Sequence, residues 1–116
     1  RRMTTEAPWH IKADQREQRT FTVRDGNGDP VDVTGWVVDA KIRDRKGGII
    51  LHTFTDDQID FVDGGKVQLT IPAPVSARWA WTRAWFRITV TDPATKDDPD
   101  PDRSRALEGD VFVDPD

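Results

Sequence analysis

The chain has 116 residues, 35% of them apolar and 33% charged, with a formal net charge of −4. That length holds one domain around one modest core, burying roughly two-thirds of the extended surface, and the composition stops short of the low-hydrophobicity regime of disordered chains. It excludes a collagen-like chain and a multi-domain enzyme, and no apolar run approaches the roughly 18 to 20 residues of a spanning helix. The charge has the wrong sign for a dedicated nucleic-acid binder. With no cysteine and only His10 and His52, neither a disulfide framework nor a thiolate or imidazole metal site can be built. No cofactor, metal, membrane or nucleic-acid partner is expected.

Residues 1–7 are small, polar and patternless and read as a flexible N-terminal arm. They lead into no apolar run, so no signal peptide is expected. A single domain is read over 8–116, built of short stretches in which apolar and polar residues alternate. Strands are expected near 9–13, 18–24, 36–44, 49–55, 66–72, 83–91 and 105–113, with a weak extra edge segment at 59–62. Phe21 and Val23 share one parity. So do Trp36, Val38, Ala40 and Ile42; Val67, Leu69 and Ile71; Phe86, Ile88 and Val90; and Leu107, Gly109, Val111 and Val113. Side chains on a strand alternate between faces, so each stretch has one dry face. Asp25-Gly26-Asn27-Gly28-Asp29-Pro30 and Asp63-Gly64-Gly65 are turn sequences, and Arg45-Lys46-Gly47-Gly48 closes a hairpin. Pro74 to Trp79 fits a single helical turn with Pro74 near its start. The fold class read is an all-β, antiparallel, immunoglobulin-like sandwich of about seven strands. The segment 92–104 has three prolines and no large apolar residue, and reads as an acidic, solvated insertion between the last two strands.

Motifs for chemistry fail one by one. Asp25-x-Asn27-x-Asp29 resembles the start of a calcium loop, but Pro30 and Trp36 stand where such a loop needs Gly and a bidentate Glu, so a plain turn is read. Asp97, Asp98, Asp100 and Asp102 are spread by the prolines between them, and a solvated face is read rather than a cation site. Neither Ser76 nor Ser104 lies in a nucleophile elbow, and His10 and His52 read as surface or rim residues. No carboxylate pair is singled out, and no phosphate-binding loop opens a helix. No catalytic, cofactor-binding or metal residues are assigned.

The five tryptophans are more informative. Trp36 has inward parity and reads as the core tryptophan of the sandwich, with Trp79 plugging one end. Trp85 has the outward parity, between Arg83 and Arg87, and Trp81 is placed beside it. Trp and Arg are enriched at interface hot spots. Three readings of Trp85 compete: a subunit interface, ranked first, a sugar-stacking platform, or a residue covered by a loop of its own chain.

Three stretches together carry a resemblance. They are Gly28-Asp29-Pro30-Val31-Asp32-Val33-Thr34-Gly35-Trp36, Phe86-Arg87-Ile88-Thr89-Val90-Thr91-Asp92-Pro93 and Leu107-Glu108-Gly109-Asp110-Val111-Phe112-Val113. In order and spacing, over roughly residues 8 to 114, the chain resembles the small immunoglobulin-like β-sandwich virion proteins of tailed bacteriophages. These include LtfC-type domains of actinobacterial phages and the N-terminal domains of some baseplate upper proteins. The resemblance implies a non-enzymatic structural protein of the virion, associated with tail, baseplate or fibre. It also implies multiple copies per particle, other virion subunits as partners, and no catalytic residues. A capsid decoration protein and a carbohydrate-binding module are the alternatives. Pro30 is expected to fix the exit from its turn, Asp32 and Thr34 to shape the bend before Gly35, and Gly109 to fit opposite a large residue such as Trp36. The long loop at 92–104 departs from the tight turn usual in this pattern.

Overall fold

A computed structural model describes residues 2–93 and 104–114. Among them the strands are β1 (Arg2–Thr5), β2 (Trp9–Lys12), β3 (Glu17–Phe21), β4 (Val37–Arg43), β5 (Ile50–Thr53), β6 (Ile59–Val62), β7 (Lys66–Ile71), β8 (Arg83–Thr91) and β9 (Ser104–Asp114). A short helix, α1 (Ala73–Ser76), with proline in its first turn, follows β7. The larger sheet runs β1-β9-β8-β4-β5, with β2 also on β9, and the smaller runs β3-β7-β6. Each expected strand is present, including the weak segment 59–62, and each expected inward parity is the buried one.

Nine strands stand among the described residues where about seven were expected, and the arm and the strand directions also differ from expectation. The N-terminal arm is not patternless coil throughout: Arg2–Thr5 lies in register with Arg105–Glu108 of β9. Its hydrogen-bonding requires backbone groups rather than a side-chain pattern, so periodicity carries no sign of it. Nor are the sheets wholly antiparallel. Both β1 and β2 run parallel to β9, sharing the edge that β8 leaves open. Pro8, which has no N–H to give, marks the break between them, while the Glu6 N–H still reaches the Glu108 carbonyl at 2.7 Å. The acidic insertion is bounded by the cross-strand pair Thr91 and Ser104; residues 94–103 themselves lie outside the described residues.

The two sheets pack face to face. Phe21 of the smaller sheet meets Phe86 of the larger with ring centroids 5.4 Å apart. Val67, Leu69 and Ile71 on one side, and Ile42, Ile88, Val90 and Val111 on the other, are fully enclosed. The tryptophan at the centre is Trp9, not Trp36. Trp9 stacks on Phe54 at 6.2 Å and meets Phe21 and Phe86 edge-on at 5.9 and 6.3 Å. Trp36 keeps its inward parity but sits half-buried at the border of the core, because β4 begins only at the next residue. Gly109 is small because of Phe86, not Trp36: a Cβ there would stand 2.7 Å from Phe86 Cε2 and 3.0 Å from the Glu6 carbonyl.

Turn chemistry fixes the connections. The Asp25 carboxylate accepts the N–H groups of Asn27 and Asp29 at 2.8 and 3.0 Å, so the calcium-like sequence is a side-chain-stabilised turn. Asp32 Oδ1 accepts both the N–H and the hydroxyl of Thr34 at 3.0 and 2.7 Å, as expected for the bend before Gly35. These bonds favour the carboxylate form and hold the Asp32 pKa below its ordinary value. This bend docks on the Asp63-Gly64-Gly65 turn, where the Val33 N–H donates to the Gly65 carbonyl at 3.1 Å. Ser76, fully buried, donates to the Ala73 carbonyl and accepts the Asp14 N–H, tying α1 to the β2–β3 turn.

Candidate functional site

Outward positions of β4 and β8 come together on the exposed face of the larger sheet. The antiparallel register sets Asp39 opposite Thr89, Lys41 opposite Arg87 and Arg43 opposite Trp85. With Lys46 and Gly47 of the β4–β5 hairpin, these side chains line an open groove of about 550 Å³. Trp85 is half-buried in it. The hairpin is built as expected: the Gly48 N–H donates to the Arg45 carbonyl and the Asp44 N–H to that of Ile49. Arg43 is held by its bond to the Gly48 carbonyl at 2.8 Å. Lys41 Nζ meets Asp39 at 2.5 Å, and Lys46 Nζ lies 3.8 Å from Glu108. The β8–β9 register adds Glu108 opposite Arg87 and Asp110 opposite Trp85.

Of the four residues expected to form an interface, the groove brings together Trp85 and Arg87. Arg83 shares their face but sits at its far end, with its guanidinium 5.7 Å over the Phe112 ring. Phe112 is stacked in turn on His10 at 5.3 Å. Trp81 is a correction, since it does not join Trp85. It precedes β8, so strand parity does not govern it, and it stacks on Trp79 at 4.6 Å against the rim of the core. Trp79 closes that end as expected, and His52 packs edge-on to both Phe54 and Trp79. His52 Nε2 lies 2.9 Å from Gln58 Oε1, which also accepts the Thr55 N–H, so the imidazole nitrogen is the donor. Burial pushes the His52 pKa down, against the smaller upward pull of that bond.

Lys41, Arg43 and Lys46 also belong to the groove, and no sequence motif marks them as its members. Lys41 and Arg43 have the outward parity of β4, but only the register sets Arg43 opposite Trp85 and Lys41 opposite Arg87. Chemically the groove offers cations around an indole face. Among the described residues lining it there is no histidine, serine or cysteine, and Thr89 supplies its one hydroxyl. Among the described residues, no three His, Asp or Glu side chains gather as metal ligands. No family model matches the chain, and no curated protein matches it either.

Proposed function

We propose that this chain is a non-enzymatic structural module of a bacteriophage virion, associated with tail, baseplate or fibre. In this reading it docks on neighbouring subunits through the outer face of its larger sheet. The observation that carries the docking reading is the open groove around Trp85, where a half-buried indole is flanked by Arg43 and Arg87 on a face that no other element covers among the described residues. Interfaces concentrate binding energy in such Trp and Arg anchors.

The resemblance to phage sandwich proteins supplies the virion setting, and the strand order supports its immunoglobulin-like form. The smaller sheet β3-β7-β6 corresponds to strands B, E and D of a variable-type domain, and β9-β8-β4-β5 to G, F, C and C′. The three stretches that carry the resemblance also have structural work consistent with it. Pro30 to Trp36 forms the bend that seats on Gly65, and Gly109 makes room for Phe86.

The test is incorporation into particles. Trp85→Ala, with an unchanged melting transition, is expected to lower the copy number in purified particles severalfold, and undiminished incorporation removes Trp85 from the interface. Antibody labelling on tail or fibre supports the assignment. Labelling on capsomers turns it to a decoration protein, and absence from particles with binding on a glycan array turns it to a carbohydrate module.

A further inference from the structure

The groove is opposite in charge to the molecule that carries it. In a chain of net charge −4, Lys41, Arg43, Lys46 and Arg87 gather around Trp85. Lys41 stands directly opposite Arg87, and like charges facing one another across two strands destabilise a sheet. The local carboxylates relieve this only in part. Asp39 is engaged by Lys41, and Glu108 stands opposite Arg87 with its carboxylate 3.8 Å from Lys46 Nζ. Among the described residues no carboxylate forms an ion pair with Arg43, which is bonded to the Gly48 carbonyl, or with Arg87; Arg87 Nε and Glu108 Oε1, on residues opposite one another, are both buried without a hydrogen-bond partner.

We infer that the groove receives an acidic, extended segment of a neighbouring protein, with its carboxylates on Lys41, Arg43 and Arg87 and its chain lying across Trp85. The inference rests on the docking face proposed above and adds the chemistry of the partner. Spacing suits such a segment. Residues two apart on a strand are about 6.6 Å apart, so acidic side chains at alternate positions of an extended chain meet Lys41 and Arg43 in turn. Charge pattern favours protein over nucleic acid. Asp39, Glu108 and Asp110 stand among the cations and oppose a polyphosphate, whose binding scales with phosphates neutralised. A peptide of mixed sign places neutral or basic residues over them.

The probe is a fluorescein-labelled ten-residue peptide of alternating Glu and Ala, titrated against the full chain by anisotropy. Binding is expected to weaken as salt rises above about 0.1 M, where exposed charges are screened. It is expected to fall by about tenfold in Lys41→Glu/Arg87→Glu, where two attractions become repulsions, with the melting transition of that variant confirming its fold. Absence of binding, equal binding by the double variant, or tighter binding of a ten-nucleotide single strand overturns the inference. Self-association in sedimentation that the double variant abolishes makes the occupant a second copy and overturns a distinct partner. The two readings fail separately. Incorporation into particles without peptide binding overturns the acidic partner alone. Peptide binding by a chain missing from particles overturns the virion role and leaves the chemistry of the groove standing.

Discussion

Gly65→Ala tests the seat on which the Pro30–Trp36 bend rests. Gly65 has φ +91°, a region that costs an L-residue about 1 to 2 kcal/mol. A Cβ there would also lie 2.0 Å from Asp32 Oδ1 and 2.6 Å from Asp32 Cα. Rotating the Asp32 side chain clears the first contact but not the second, because the Cα is backbone. The bend must therefore shift, and overpacking of this kind costs about 1 to 3 kcal/mol. Together these predict a loss of about 2 to 5 kcal/mol. At about 4 °C per kcal/mol for a domain of this size, the melting temperature falls by about 8 to 20 °C. The control is adjacent. Gly64 has φ +84° but nothing within 4 Å of its Cβ position, so Gly64→Ala carries the backbone strain alone, about 1 to 2 kcal/mol. Urea melts of both variants, with unchanged m-values, separate the two terms. Equal losses refute the reasoning, since the contact with Asp32 then contributes nothing.

Trp9→Ala removes the side chain on which Phe21, Phe54 and Phe86 converge, and chemical denaturation is expected to show a loss of about 3 to 5 kcal/mol. The same substitution at half-buried Trp36 costs clearly less; the reverse order contradicts the placement of the core. His52 sets a pH dependence. Its folded pKa lies below the ordinary 6.5, so as pH falls through 6.5 the unfolded chain takes up the proton first and stability declines, levelling off below the folded value. His52→Phe, which keeps the ring against Phe54 and Trp79, is expected to flatten that decline in urea melts between about pH 5 and 7; an unchanged slope refutes it.

Much of this fold is legible in the sequence because a strand with one buried face prints a period of two, as in Arg83–Thr91, whose bounds and inward residues both match. What stays hidden depends on information outside the local pattern. Arg2–Thr5 joins the sheet through backbone pairing with β9, which its sequence, lacking an apolar alternation, does not announce. Trp9 and Trp36 both have inward parity, and only the depth of each strand end decides which one the core encloses. Trp81 lies outside any alternating run, so parity misplaces it beside Trp85 when it belongs with Trp79. The groove is the clearest case. Outward parity identifies Lys41, Arg43, Trp85 and Arg87 separately, but their meeting is a fact of register between strands some forty residues apart.

A docking face around Trp85 must be covered when the chain is at work. Hydroxyl-radical footprinting of the free protein and of particles that contain it, read at each tryptophan, measures this directly. The expected result is strong protection of Trp85 in the particle, with Trp79 and Trp81, on the rim of the core away from that groove, reacting alike in both samples. Equal oxidation of Trp85 in the two states, beside protection elsewhere on the surface, contradicts the docking face.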